Sequence, residues 1–164
     1  MAAASNKKVL VVRFDRESVE GFVQTPSGLE GDGVELLRPD GSLMLIPFSE
    51  TKLVFFVRDF EAGESWRDDW QKHRAFASRP KTAGLWVRFR LRDGEQLEGI
   101  LSNNLLQIEP AGFTAVPAGP THQNQRVFVP RLALSSVEVL GAIGAAARKL
   151  PAKKAQEDKQ LTMF

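Results

Sequence analysis

Residue types that can carry chemistry are few and widely separated in this chain. The sequence has two histidines, His73 and His122, and no cysteine. Neither histidine has a carboxylate or a second histidine at a spacing typical of metal ligands. Asp68 and Asp69 are adjacent, and neighbouring residues on a helix point in different directions, so they do not form an acid/base pair. The sequence therefore predicts no catalytic residues and no metal site.

The glycines also give no sign of a cofactor. Gly28, Gly31 and Gly33 punctuate one stretch, but their spacing matches neither a phosphate-binding loop nor a dinucleotide fingerprint. No helix with Lys-Ser or Lys-Thr follows them. We therefore predict a protein that is not an enzyme and that holds no cofactor.

Composition limits the class of protein. The chain has 164 residues, 43% of them hydrophobic and 26% charged, with a net charge of +2. These values predict a packed core and argue against a protein whose main task is to coat nucleic acid. No apolar run approaches the roughly 20 residues that span a bilayer, and the start lacks the apolar stretch of a leader peptide. We expect a cytoplasmic protein that does not enter a membrane.

Two parts of the chain repeat one ordered pattern. Both copies contain Val-Arg-Phe followed by Glu-Gly, then an apolar stretch, an apolar-Pro pair and a last apolar strand. In the first copy these segments are 12–14, 19–23, 34–37, 46–47 and 54–57. In the second copy they are 87–89, 97–101, 105–108, 129–130 and 137–140. The shared order predicts an internal duplication.

Each copy reads as about five short, bent strands. Gly94 and Pro39 mark tight turns between apolar runs. The glycine of each Glu-Gly pair lies inside a strand pattern, where glycine allows bending, and Pro47 and Pro130 end a strand because proline lacks an N–H. Five bent antiparallel strands favour a small barrel. The predicted fold is mainly β, with two tandem five-stranded small barrels joined by a short helix.

The predicted organisation has four parts. The first barrel covers 1–62, a helical linker covers 63–84, the second barrel covers 85–143, and 144–164 form a flexible basic tail. The helix is predicted over 65–77, because Ser65 can cap it and Arg79-Pro80 ends it.

The second copy resembles the Sm-like family, including its bacterial host-factor-Q branch. The resemblance rests on 87–94, 97–100, 104–106, 127–129 and 133–137, two signature segments joined by a variable loop. It implies an RNA-binding or ring-forming SH3-like barrel. It also implies an RNA site at the loop after the second strand and at a basic residue near the fourth strand, which correspond to Asn103, Asn104 and Arg131. In that family the fourth strand of one subunit pairs with the fifth of the next, which implies pairing between the two barrels or self-association.

Phe55 and Phe56 form a candidate interface. They are adjacent in the last strand of the first copy, where alternation exposes one of two successive side chains. The exposed ring suits contact with the other barrel or with a protein partner, and burial by the linker helix is an equal alternative.

The last five residues resemble the pentapeptide with which bacterial replication and repair proteins bind the sliding clamp. Leu161, Met163 and Phe164 have the apolar character to fill pockets, and Gln160 can hydrogen-bond at a rim. The alternative is a tail that packs back onto its own barrel.

These patterns predict a non-catalytic cytoplasmic binding or scaffold module built from tandem Sm-like barrels. The alternatives are an RNA-binding Sm-like protein and a clamp-associated adaptor that acts through its tail. The expected partner is a protein or a second copy, with RNA as the alternative.

Overall fold

Ten β-strands account for most of the described structure. The computed structural model describes residues 5–15, 17–25, 27–58, 74–102, 110–118 and 124–144. The strands are β1 Ser5–Arg13, β2 Ser18–Thr25, β3 Gly33–Leu37, β4 Leu43–Pro47, β5 Thr51–Val57, β6 Gly84–Leu91, β7 Gln96–Leu101, β8 Gly112–Pro117, β9 Asn124–Pro130 and β10 Leu134–Ile143. Two short 3-10 turns, Ser27–Leu29 and Arg131–Ala133, complete the regular structure of the described residues. The predicted mainly β class is confirmed.

All ten strands belong to one antiparallel sheet. Their order is β10-β6-β7-β8-β9-β5-β1-β2-β3-β4. Each half of the chain contributes five strands in the same relative order, since β10-β6-β7-β8-β9 corresponds to β5-β1-β2-β3-β4. The halves are joined where β9 pairs with β5.

Local sequence explains where these strands turn. Gly41 and Gly94 have φ values of 92° and 96°, a region that L-residues rarely adopt. The Asp93 carboxylate accepts a 3.0 Å hydrogen bond from the backbone N–H of Glu95 and tightens the β6–β7 turn. Strands β4 and β9 end at Pro47 and Pro130, as predicted.

Two hydrophobic cores lie on opposite sides of a shared wall made by β1, β5 and β9. The first core contains Val54 of β5 and Phe128 of β9, together with the apolar residues of β2, β3 and β4. The second core contains Leu53 and Phe55 of β5, together with those of β6, β7 and β8. Because successive residues of a strand point to opposite faces, a strand buried on both faces needs a continuous apolar run. The run 53–57 supplies it.

The sheet curls around each core. Ile46 of β4 and Val54 of β5 belong to the same core although their strands lie at opposite ends of the first five-stranded set. Within the described residues, backbone pairing closes neither set into a separate barrel. The reason is that the outer edge of β5, which closure of the first set would require, is already hydrogen-bonded to β9.

The predicted helix over 65–77 is not seen in its described part. Residues 74, 75 and 77 form bends and residue 76 has no regular structure, and the rest of that segment lies outside the described residues. The backbone of this part is held by the sheet instead, because the Glu98 N–H donates a 2.7 Å hydrogen bond to the Arg74 carbonyl. No helix of the described residues is long and apolar enough to cross a membrane.

Candidate interaction surfaces

The outer edge of β4 presents a row of exposed leucines. Leu43 is 80% exposed and Leu45 is 58% exposed, whereas Ile46 is buried in the first core. Alternation along the strand therefore places Leu43 and Leu45 on the face that lacks a core. The strand begins at a tight turn in which Asp40 accepts a 2.9 Å hydrogen bond from the Ser42 N–H.

The outer edge of β10 presents a second apolar row. Val137 is 37% exposed and Val139 is 61% exposed. They pair with Phe89 and Val87 of β6, whose side chains are fully buried in the second core. Directly paired residues share a face, so the two valines continue the wall of that core into solvent.

Strands β4 and β10 are the two ends of the sheet. In the described part of the chain, β4 hydrogen-bonds with β3 and β10 with β6, and neither has a second neighbour. Proteins usually protect such edges with lysine, proline, bulges or a cover. Strand β4 carries no charged residue over 43–47, and its proline stands at its last position. Strand β10 has two register shifts and a single charged residue, Glu138.

The contact between β5 and β9 is an example of two strand edges that cover each other. Val54 pairs with Phe128 and Phe55 with Val127, and all four side chains are buried. The Phe128 ring lies 5.9 Å from the Phe48 ring of the other half. A strand from the second half thus completes the core of the first half.

The candidate interface residues Phe55 and Phe56 both lie at this contact. Phe55 packs in the second core, and Phe56 is half-buried against the first core and pairs with Arg126. The doubly apolar pair is thus explained by two cores on opposite faces of β5.

The turn between β6 and β7 holds the halves together by charge. Lys52 of β5 forms ion pairs with Asp93, at 2.8 Å, and with Glu95. The Arg92 guanidinium lies 4.0 Å above the Phe14 ring centroid. The pKa of Asp93 lies below its usual value of 3.8. Partial burial alone would raise this pKa, but the hydrogen bonds from Lys52 and the Glu95 N–H, together with the Lys52 charge, outweigh the effect of burial.

A cavity of about 460 Å³ lies beside this turn, and Glu98 forms part of its lining. Glu98 is the most buried carboxylate of the described residues, with 7% exposure. Its Oε1 accepts hydrogen bonds from Trp86 Nε1 at 3.0 Å and the Phe76 N–H at 3.1 Å, and its Oε2 pairs with Arg88 at 3.2 Å. A carboxylate held by these three donors fixes the position of Phe76 relative to β6 and β7. The described residues contain no group of three or more His, Cys, Asp or Glu that could hold a metal ion.

Arg131, the described member of the candidate RNA site, is anchored within its own half. Its Nε donates a 2.8 Å hydrogen bond to the Pro110 carbonyl, and its guanidinium lies 4.8 Å from the Phe113 ring centroid. Asn103 and Asn104 lie outside the described residues, and so do all the clamp-binding candidates, Gln160, Leu161, Met163 and Phe164. The predicted RNA site and the predicted clamp-binding segment therefore stay predictions.

Sequence reasoning missed the four edge residues. For Leu43 and Leu45 the sequence did contain a signal, the run Leu43-Met44-Leu45-Ile46. A strand that is apolar on both faces needs a packing partner on each face. In β5 the same signal, Phe55-Phe56, predicts an interface.

Comparison with known proteins gives a family and no function. A family model described as a family of unknown function (DUF6982) matches residues 5–141. No curated protein and no solved structure matches.

Proposed function

The chain belongs to this family of unknown function, and we propose that it is a non-catalytic binding or scaffold protein that works through the two outer edges of its sheet. The observation that carries the proposal is the pairing of an open backbone edge with exposed apolar side chains, at Leu43 and Leu45 on one edge and at Val137 and Val139 on the other. Each half acts as an Sm-like small-barrel unit within the scaffold.

The physical basis is strand addition. A strand at the end of a sheet presents a row of unpaired N–H and C=O groups, which a further strand can satisfy. Single exposed apolar residues are ordinary on protein surfaces. Two on one face of a terminal strand are different, because a strand that pairs there buries both at once. The backbone groups supply affinity and the side chains supply register.

A non-catalytic role is supported by the contacts of three carboxylates. The buried Glu98, the half-buried Glu95 and the exposed Asp93 all take part in ion pairs that join separate segments of the fold. The RNA-binding alternative receives no such support, because Arg131 is engaged with Pro110 and Phe113.

Similar support favours the Sm-like unit. Each five-stranded set has the order fifth-first-second-third-fourth, and each curls around its own core. The short turn between the fourth and fifth strands follows a proline in both halves, at Pro47 and Pro130.

Site-specific photo-crosslinking in cells tests the proposed surface. A photoreactive amino acid replaces Leu45 on one edge or Val139 on the other, and replaces the exposed Lys81 in a control. We expect discrete heavier products from both edge positions and none from position 81. The proposal fails if neither edge position gives a discrete product while the variants remain folded by circular dichroism.

A further inference from the structure

We propose that the first half of the chain carries a third interaction surface, a groove beside β2 that binds an extended peptide segment with an acidic side chain. The groove is separate from the two outer edges of the sheet, so this inference goes beyond the proposed function. Its basis is a difference between the halves, because the second half fills the corresponding place with part of its own chain.

Hydrogen bonding at the β1–β2 turn shows which way the backbone of β2 points. The Arg13 N–H donates a 2.9 Å hydrogen bond to the Glu17 carbonyl. Hydrogen-bonded and non-hydrogen-bonded pairs alternate along an antiparallel ladder. The pairs that contain Ser18 and Glu20 are therefore of the non-hydrogen-bonded kind. The N–H and C=O groups of these two residues consequently point away from β1.

The same alternation holds in the second half, where the outward N–H has an acceptor. The Leu91 N–H donates to the Glu95 carbonyl, so the backbone groups of Glu98 point away from β6. The Glu98 N–H donates a 2.7 Å hydrogen bond to the Arg74 carbonyl. The Glu98 carboxylate accepts a 3.1 Å hydrogen bond from the Phe76 N–H. A segment from elsewhere in the chain thus docks on the edge of β7, held by the backbone and the side chain of one glutamate.

Glu20 is the counterpart of Glu98. Each is the glutamate of its Glu-Gly pair, and each comes three residues after the carbonyl that closes the preceding turn. Glu20 is half-buried, and its carboxylate makes no hydrogen bond or ion pair within the described residues. Its N–H has no strand partner there, because β2 pairs with β3 only at Phe22 and Val23. The repeated Glu-Gly pair therefore offers the same two docking groups in both halves, and the described part of the first half leaves both open.

A cavity of about 630 Å³ lies along this open edge of β2. It separates Glu20 from the β3–β4 turn at Arg38. Close approach of β2 to β3 ends at Gly21, where an added Cβ would lie 2.6 Å from the Leu37 carbonyl oxygen. From that glycine back toward the β1–β2 turn, no pairing joins the two strands in the described residues. The gap between them is the proposed groove.

The wall of the groove supplies a cation for a side chain of the bound segment. Arg38 is half-buried, and its guanidinium makes no hydrogen bond or ion pair in the part of the chain that the structure describes. The nearby Asp40 carboxylate is held by Ser42, whose N–H lies at 2.9 Å and Oγ at 2.6 Å. Arg13, also in the lining, is already paired with Glu50 at 2.8 Å. Because a buried guanidinium nitrogen without an acceptor is costly, Arg38 favours a segment that carries Asp or Glu.

The proposed complex is a short strand added to β2. A carbonyl of the segment accepts from the Glu20 N–H, and one of its N–H groups donates to the Glu20 carboxylate. Its acidic side chain pairs with Arg38. The backbone contacts supply affinity and the acidic residue supplies selectivity.

Selection from a library of random peptides, with the purified full chain as target, tests the groove. We expect the enriched peptides to share an Asp or Glu within a stretch of β-forming residues. The best of them, labelled with a fluorophore, should bind the unmodified chain with a Kd measurable by fluorescence anisotropy. Replacement of its acidic residue by Asn or Gln should weaken binding about tenfold or more. Failure to enrich any acidic peptide overturns the inference.

Variants of the chain locate the binding. Arg38→Ala and Glu20→Ala should each weaken binding of the selected peptide about tenfold, and Arg38→Lys should weaken it less. Lys81→Ala and Glu35→Ala are the matched controls, because both residues are exposed and Glu35 lies on the neighbouring β3. Neither control should change the Kd. Equal affinities of Arg38→Ala and the unmodified chain, with both folded by circular dichroism, overturn the inference.

Amide hydrogen exchange of the full chain gives a second readout. The Glu20 N–H should exchange faster than the Glu98 N–H, which donates to the Arg74 carbonyl. Saturation with the selected peptide should slow exchange at Glu20 and leave exchange at Glu98 unchanged. Unchanged exchange at Glu20 in the saturated complex would refute strand addition to β2.

The groove and the outer edges fail separately. A selected peptide that loses affinity for Leu45→Lys or Val139→Lys, but not for Arg38→Ala, binds an outer edge, which refutes the groove and supports the proposed function. Binding that depends on Arg38 and Glu20, together with an absence of photo-crosslinks from positions 45 and 139, supports the groove and refutes the outer edges.

Discussion

Arg131 illustrates how a surface charge becomes part of the fold. Its guanidinium covers the Phe113 ring and its Nε holds the Pro110 carbonyl, so one side chain joins the 3-10 turn to the start of β8. A cation over an aromatic ring and one hydrogen bond together contribute about 1–2 kcal/mol at a partly exposed site.

We expect Arg131→Ala to lower the free energy of unfolding by that amount, about 1–2 kcal/mol, in urea denaturation. Lys81→Ala, at an exposed loop position, serves as the control and should change it by less than about 0.5 kcal/mol. An unchanged stability in Arg131→Ala would contradict this structural role.

Asp93 gives the protein a predictable acid response. Its pKa is lower in the folded state than its ordinary value of 3.8, so its ionised form stabilises the fold above that pH. The contribution is present at neutral pH and disappears as the pH falls through the folded-state value. Asp93→Asn should therefore be less stable than the parent at pH 7, and the difference should shrink below about pH 4. Urea denaturation across that range measures both effects, and a constant difference between the two proteins would contradict them.

At the scale of elements, close backbone approaches fix where strands can pair. A Cβ added at Gly112 would collide with the Val129 carbonyl and come within 2.8 Å of the Phe128 ring. The position tolerates no side chain without moving β8 away from β9.

Gly112→Ala should accordingly lower the free energy of unfolding by about 1–3 kcal/mol, as other overpacked sites do. Gly31→Ala is the control, because nothing lies within 4 Å of an added Cβ there. Thermal unfolding followed by circular dichroism compares the two variants. Similar melting temperatures for both would show that β8 and β9 are less tightly packed than the structure indicates.

Elements with local signals were predictable from the sequence, and contacts without them were not. The turns at Gly41 and Gly94 and the strand ends at Pro47 and Pro130 follow from backbone preferences of single residues. The pairing of β5 with β9 joins segments about seventy residues apart, and no short-range pattern encodes that register. The Phe55-Phe56 pair signalled a strand covered on both faces but did not say by what. The open edges at β4 and β10 were missed for the same reason. Which strands lie at the ends of the sheet depends on long-range pairing.

At the scale of the whole molecule, the two halves share one wall and depend on each other. Phe128 of the second half is fully buried in the first core, and Phe55 of the first half is buried in the second. Separation of the halves would expose both rings and break the Lys52–Asp93 ion pair.

We expect a fragment of residues 1–62 to lack a stable fold on its own, although this range was predicted as a domain. Removing the second half leaves the first core without Phe128, and losing one large buried aromatic side chain costs about 3–5 kcal/mol. That is a large part of the stability of a small unit. Circular dichroism and thermal unfolding of the fragment, with the full chain as control, measure the effect. A sharp cooperative transition in the fragment would contradict this dependence.

The shared wall has a consequence for biosynthesis. Strand β5 is complete when residue 57 leaves the ribosome, but its partner β9 begins only at residue 124. At elongation rates of about 5–20 residues per second, synthesis of the residues between the end of β5 and the start of β9 takes roughly 3–13 s. During this interval the nascent chain exposes apolar residues of β5 that the folded chain buries against β9.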